Sequence, residues 1–314
     1  MRPTLKPKTV LGYRSLIRSR IVPALGQARL ASLRPSDVQA WIATMEDYGL
    51  SASRIRQAHV VLAEALTAAT RDGLVSRNVA RGAKLPRLER REAAHFEPET
   101  VERIAAAMSE PDTLAVRTLG TVGLRFGELA ALRRRHVDLL RRRLRIEEAA
   151  VEVGGVLTFG TPKSHATRAV PLPAWLARSF ETHLEDRVPA DPDALVFAGP
   201  RGGPLRYSRF YSHVWRPMLA QLGFPAAGVH SLRHSAAAAM VAAGASLNAL
   251  QTVLGHGSAT FSLTVYGHLF DDDLDALAGR LDELRGAHGN VTNSRGPHAA
   301  QSQRTVTARR AHNA

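Results

Sequence analysis

Four side chains suited to handling a phosphate fall within the 39 residues from His230 to His268: His230, Arg233, His256 and Tyr266. His230 and Arg233 are spaced i, i+3, which on a helix projects them from one face. Guanidinium and imidazole groups donate to phosphate oxygens, and a phenol can act as an oxygen nucleophile. Upstream, Arg125 and Glu128 repeat the i, i+3 spacing in GLRFGEL, and Lys163 in TPKSHA is the only lysine after Lys84. Each of these has an ordinary reading as well. An Arg–Glu pair on a helix is usually a modest exposed ion pair. A histidine just past a helix C-terminus interacts with the dipole, a lone tyrosine packs, and one isolated lysine can be retained by chance. Arg133, Arg134 and Arg135 read as a solvated face. The HxxxH spacing of His230 and His234 could bind zinc with His256, but the arginine between the two histidines repels a dication.

The elements that must carry these residues follow from periodicity and caps. Residues 9–25 have apolar positions at helical spacing with Thr9 as N-cap, and Gly26 stops them. Ser36 and Asp37 open a second helix that closes at Gly49; Ser51 or Ser53 caps a long alanine-rich third that runs to Asp72–Gly73. Residues 86–96 are charged and lack an apolar period, as a linker does. Pro98 stands near N1 of the next helix, and another runs from after Pro111 to Gly123. From Arg142 the period changes to two, giving short antiparallel strands over RLRIEE, AAVEV, VLTF and TRAVPLP. Lys163 then falls in a β-hairpin loop between the last two. Helices resume at 173–186 and 208–222. Gly244 ends the helix that begins near His230, Ser246 caps the next, and Gly255 ends it, leaving His256 just beyond.

The chain has 314 residues, enough for two cores. Its formal charge of +14 points to a polyanion partner. Residues 1–95 hold 17 Lys and Arg against 7 Asp and Glu, a net of +10, so the helical N-terminal third carries most of the excess. The absence of cysteine excludes disulfides, thiol catalysis and cysteine-ligated zinc. No apolar run suits a membrane span or a signal peptide, so a cytoplasmic, nucleoid-associated protein is expected, with no membrane partner. The tail 286–314 is nearly free of large apolar residues, which predicts disorder.

Taken in order, GLRFGEL, the isolated lysine among strands, HSLRH, LGHG and TVYGH resemble the tyrosine recombinases: the phage integrases and the Xer- and Cre-like enzymes. The likeness is most specific over 120–270. It implies a mainly α fold with a small antiparallel β-sheet: a SAM-like helical core-binding domain over 1–87, a linker at 88–96, and an α+β catalytic domain over 97–285, followed by the basic tail. It implies a site-specific DNA recombinase that breaks and rejoins strands without metal, cofactor or ATP. Tyr266 would be the nucleophile that forms a 3′-phosphotyrosyl link, Arg125 and Arg233 would clamp the phosphate, and Lys163 would protonate the leaving 5′-oxygen. His230 and His256 would assist proton transfer and phosphate binding, and Glu128 would orient its basic neighbours. Double-stranded recombination sites, a homotetramer in the synaptic complex, and accessory directionality or host DNA-bending factors are the implied partners. Leu274, Leu277, Leu281 and Leu284 mark an amphipathic helix of the kind that docks on a neighbouring protomer in the family. The alanines of HSLRHSAAAAM depart from the family's usual residues in a way that affects packing more than chemistry. No counterpart of the small arm-binding sheet module of many integrases precedes the first helix. Phage or mobile-element integration or excision fits the motif style better than Xer-type resolution of chromosomes or plasmids. A non-catalytic DNA-binding protein on the same fold would be expected to have lost one of the six residues, and a metal-dependent nuclease would need clustered carboxylates near the histidines.

Overall fold

The computed structural model describes residues 5, 7–88, 95–161, 167–200, 202–255, 278, 279 and 282. Lys163, His256, Tyr266 and the tail 286–314 lie outside the described residues, as do Leu274, Leu277, Leu281 and Leu284. Residues 1–265 form one compact unit and 266–314 another.

The first unit contains two separate apolar cores. Helices α1 (Pro7–Leu16), α2 (Val22–Leu25), α3 (Pro35–Asp47) and α4 (Ala52–Arg71) enclose one, built on Leu16, Trp41, Ile42, Ile55, Leu62 and Leu66. Thr9 is not the cap expected of it: helix begins two residues earlier at Pro7, and Thr9 lies inside it. Proline suits a first turn because its missing N–H has no helical partner there in any case. Between α1 and α2 the chain widens to a π-turn, Ile17–Ile21, in which the Val22 N–H reaches back to the Ile17 carbonyl. Pro23 is the cause on physical grounds, since its ring crowds the carbonyl four residues back and it donates no hydrogen bond. Pro35 opens α3, with Asp37 at N3 rather than N-cap; its carboxylate accepts the Arg34 N–H at 2.8 Å. Of the two candidate caps of α4, Ser51 holds the position and accepts from the Arg54 N–H at 3.4 Å. The Trp41 indole donates to the Arg20 carbonyl at 3.0 Å, so its polar atom is satisfied within this core.

The second core gathers helices α5 (Pro98–Ala106), α6 (Asp112–Val122), α7 (Phe126–Ala130), α8 (Ala174–Arg187), α9 (Tyr207–Phe210), α10 (Arg216–Gln221), α11 (Ser231–Ala242) and α12 (Leu247–Leu254). Trp215 is fully buried and its indole donates to the Ala227 carbonyl at 2.8 Å. Burying a side chain of this kind contributes about 1.5–3 kcal/mol. A second π-turn, Tyr211–Trp215, joins α9 to α10 just ahead of Pro217, where the sequence reads as one continuous helix. Phe96 packs edge-on against both Trp215 and Phe224, and its N–H donates to Ser235 Oγ of α11 at 2.7 Å, which pins the start of this core to the helix carrying Arg233.

Among the described residues the strands form two small antiparallel sheets where one was expected. Strands β1 (Val137–Asp138), β2 (Arg143–Ile146) and β5 (Arg168–Pro171) form a three-stranded sheet in the order β1-β2-β5. Strands β3 (Ala149–Val153) and β4 (Val156–Gly160) form a separate hairpin. The expectation that the last two strands pair as a hairpin is corrected, since β4 and β5 belong to different sheets; Lys163, between them in sequence, lies outside the described residues. Burial explains the partner choice. Leu144 of β2 faces Val170 of β5 and both are wholly buried, whereas β4 has no buried position.

Arg133, Arg134 and Arg135 do not form a solvated face. Arg134 Nη1 donates to the Leu184 and Val188 carbonyls at 2.8 and 3.0 Å, tying off the end of α8. Arg133 donates to Glu148 and lies over the Phe159 ring, while Arg135 pairs with Asp193. No helix among the described residues is long and apolar enough to cross a membrane.

Candidate active site

The site is assembled at the carboxyl end of α12, where the last carbonyls of a helix have no partner of their own. Three arginines from three different elements take them in succession. Arg168, at the start of β5, donates from Nε to the Val253 carbonyl at 2.9 Å. Arg233, in the first turn of α11, donates from Nη2 to the Leu254 carbonyl at 2.5 Å. Arg125, the N-cap of α7, donates from Nη2 to the Gly255 carbonyl at 3.0 Å. Cations at a helix C-terminus also meet the negative end of its dipole, worth about 0.3–1 kcal/mol each at a surface and more when partly buried.

Two glycines make this convergence possible. Gly123 caps α6 in the left-handed conformation at φ +72°, and its carbonyl accepts from Arg233 Nη1 at 2.6 Å. A Cβ there would lie 2.7 Å from Leu254 Cδ2 and 3.2 Å from the Ala236 Cβ, so α11 and α12 both press on this one residue. Gly255 closes α12 at φ +64°, and a Cβ on it would lie 3.0 Å from the Arg168 guanidinium carbon. Only glycine adopts these angles without steric cost.

Beneath the arginines lies Glu128, 1% exposed. One oxygen accepts the Arg125 N–H at 3.0 Å, and the other accepts from Arg125 Nη1 at 2.9 Å. Arg168 forks across the same carboxylate, from Nη1 at 3.1 Å and Nη2 at 2.6 Å. The Arg125–Glu128 pair is thus part of a buried network and not an exposed helix-surface pair. Burial, the largest single influence on Glu128, disfavours its charge. Its hydrogen bonds and attraction to Arg168, then to Arg125, outweigh that and hold the carboxyl below its ordinary value. Removing one partner of such a buried pair costs about 3–5 kcal/mol, because the other charge is left uncompensated. Two guanidiniums over one carboxylate leave this trio with a surplus positive charge, and the Arg125 side chain retains 24% exposure, so the surplus is open to an anion.

His230 is the exposed N-cap of α11, and the Arg233 N–H returns to its carbonyl at 3.1 Å. The His230 and His234 rings meet edge-to-face at 5.0 Å. Burial, then the neighbouring Arg233 and His95, push the His234 imidazole below its ordinary value, toward the neutral form. Of the seven residues singled out in the sequence, the structure brings Arg125, Glu128 and Arg233 into one network and places His230 at the head of the helix bearing Arg233. Lys163, His256 and Tyr266 are outside the described residues. Among the described residues no group of three His, Asp or Glu side chains is placed to hold a metal ion.

Arg168 escaped the sequence reading. A signal for it was present: in a strand, residue i shares a face with i+2, and Val170 is an obvious core position. An arginine on the buried face of a strand requires a carboxylate, and Glu128 was the candidate.

The comparisons with known proteins agree in one direction. Residues 95–272 match the model of the phage integrase family, and residues 1–45 match that of the phage integrase N-terminal SAM-like domain. The chain is 31% identical over 279 residues to the integrase of Mycobacterium phage D29, covering 87% of this chain and 73% of that protein. Its fold is similar to that of the Tn1549 transposon integrase in complex with transposon right end DNA, with a TM-score of 0.77, 23% identity, and coverage of 90% of this chain and 96% of that one. It is also similar to a lambda integrase tetramer bound to a Holliday junction, with a TM-score of 0.66, 21% identity, and coverage of 84% and 73%. At those identities the structural likeness speaks for the fold alone.

Proposed function

Because the chain belongs to the phage integrase family of tyrosine recombinases, we propose that it is a site-specific recombinase that integrates or excises a phage or mobile element through the residues at the end of α12. The observation that carries this reading is the pair of arginines, Arg125 and Arg233, drawn from α7 and α11 onto consecutive backbone carbonyls. Fixing both guanidiniums before DNA arrives supplies preorganised donors for the non-bridging oxygens of the scissile phosphate. Such donors stabilise charge as it develops and need no reorganisation at the moment of reaction.

Tyr266 would attack the phosphorus, forming a bond from its phenolic oxygen to the 3′-phosphate and releasing a 5′-hydroxyl. The phosphodiester energy stays in the phosphotyrosyl link, so a different 5′-hydroxyl can reverse the step without ATP. Lys163 would give its proton to the leaving 5′-oxygen, which an arginine cannot do because it stays protonated at working pH. His230 would assist proton transfer at the nucleophile, His256 would donate to a phosphate oxygen, and Glu128 would orient Arg125. The DNA duplex would be tracked by the basic N-terminal segment, where Arg14, Arg18 and Arg54 on its helices and Arg77 and Arg81 just after α4 are exposed. The DNA-bound and tetrameric states of the neighbouring integrases support a homotetramer on two recombination sites, in which the segment after Tyr266 would contact a second protomer. The domains would divide at 1–87 and 97–285, around a linker at 88–96; the two separate cores support that division.

The test is a nicked duplex carrying the end sequence of the element that encodes the chain, incubated with the protein in EDTA. The nick lets the short 5′-hydroxyl strand diffuse away and traps the covalent state. The expected result is a protein–DNA adduct that survives SDS, formed at a rate at least about a hundredfold lower in Arg233→Ala. An adduct that requires a divalent metal contradicts the proposal.

A further inference from the structure

Arg168 is the third guanidinium at the end of α12, and the reaction described above makes no use of it. Its Nε, Nη1 and Nη2 all donate within the protein, to the Val253 carbonyl and to the two oxygens of Glu128, so its fork is committed there. Its three contacts nevertheless all lead to the phosphate-binding group. The fork onto both oxygens of Glu128, at 3.1 and 2.6 Å, fixes the rotation of that carboxylate. Glu128 then determines the direction from which Arg125 is held, at its N–H and at Nη1. The Nε contact to Val253, at 2.9 Å, fixes the same helix end to which Arg125 Nη2 is bonded two residues later. Arg125 is thus held at both of its terminal nitrogens by groups that Arg168 orients.

We infer that Arg168 is a positioning residue for the recombination step: through Glu128 and the carboxyl end of α12 it sets the plane of the Arg125 guanidinium against the scissile phosphate. This rests on the reading of Arg125 as a phosphate clamp. A charge to balance Glu128 would not suffice. A lysine at 168 would supply the charge, but as a single ammonium it cannot bridge two carboxylate oxygens and a backbone carbonyl in one plane. A displacement of about 1 Å in a group that binds the reacting atoms costs up to about a hundredfold in rate, so the role predicts a large effect from a residue that never touches substrate.

The experiment compares full-length Arg168→Lys, Arg168→Ala and Arg125→Ala with the unaltered chain, each first shown to be folded by circular dichroism. The substrate is the nicked element-end duplex with either an ordinary phosphodiester or an uncharged methylphosphonate at the scissile position, and the rate of strand cleavage is read at saturating DNA. An uncharged phosphorus centre has little need of a cationic clamp. The expected result is that both Arg168 variants cleave the phosphodiester about tenfold to a hundredfold more slowly, bind the duplex with the affinity of the unaltered chain, and lose most of that deficit on the methylphosphonate, as Arg125→Ala does. An Arg168→Lys deficit that is equal on both substrates, while that of Arg125→Ala shrinks, overturns the inference and makes Arg168 a structural residue only. An Arg125→Ala deficit that is unchanged on the methylphosphonate overturns the clamp reading itself, and the inference with it. Arg168→Lys keeps a buried cation beside Glu128, so the comparison stands if Arg168→Ala does not fold.

Discussion

Substituting alanine for Gly123 tests whether the meeting of α6, α11 and α12 organises the site. At φ +72° the left-handed backbone costs a non-glycine residue about 1–2 kcal/mol. The added methyl would lie 2.7 Å from Leu254 Cδ2, so that side chain must leave its rotamer, at about 0.5–1.5 kcal/mol. The total is about 2–3 kcal/mol, a fall in melting temperature of about 5–10 °C for a domain of this size. Gly223 provides the control: it has the same φ of +72° with nothing within 4 Å of an added Cβ, so Gly223→Ala carries only the backbone cost. Activity separates the two further. The Gly123 carbonyl holds Arg233 at 2.6 Å, and shifting it should slow adduct formation about tenfold or more, while Gly223→Ala cleaves normally. Thermal melts followed by circular dichroism and adduct assays at saturating DNA read both effects. Equal losses of stability in the two variants, or full cleavage by Gly123→Ala, would refute the idea that contact at this glycine orders the site.

Three further outcomes follow from the charges. Glu128 titrates below its ordinary value of 4.5 in the fold, so its ionised form is favoured by folding; that stabilisation is complete above the ordinary value and is lost as pH falls through the lower folded one. Urea denaturation of Glu128→Gln should therefore show a deficit relative to the unaltered chain that is constant near neutrality and shrinks with acidification below that value; a deficit independent of pH would contradict it. His136, through burial and Arg135 against the opposing pull of Glu147, and His234 are both held below 6.5, so the unfolded chain binds protons first as pH falls through that value. Stability should decline between about pH 7 and 5, less steeply in His136→Gln than in the unaltered chain. Lys163→Arg should cleave an ordinary substrate poorly but recover when the leaving oxygen is replaced by sulfur, since a thiolate leaves without a proton; equal loss on both substrates would refute the general-acid role.

Local signals were the most legible part of the chain. Pro98 at N1, Ser51 and Ser246 as N-caps, and Gly123 and Gly255 as left-handed helix ends each depend on a few adjacent residues, and the structure places them where side-chain chemistry requires. The i, i+3 pair Arg125 and Glu128 was visible for the same reason, although its burial was not. Properties set at long range were hidden. Alternation announces that β4 and β5 are strands but not that β5 pairs with β2, because that choice depends on the buried contact of Leu144 with Val170. The two π-turns answer prolines at 23 and 217 by rearranging bonds that no periodicity records. Arg168 looked like any other arginine of a strongly basic chain until β5 was set beside the end of α12, 85 residues away in sequence.

Recombination by the proposed route requires Tyr266 to carry the DNA between cleavage and rejoining. The most direct measurement is to trap the adduct on the nicked element-end duplex, digest it with trypsin and nuclease, and locate the nucleotide-bearing peptide by mass spectrometry. A 3′-nucleotide phosphate is expected on Tyr266, and no adduct is expected from Tyr266→Phe. A nucleotide on Tyr207, Tyr211 or any other side chain, or an adduct that persists in Tyr266→Phe, would contradict it.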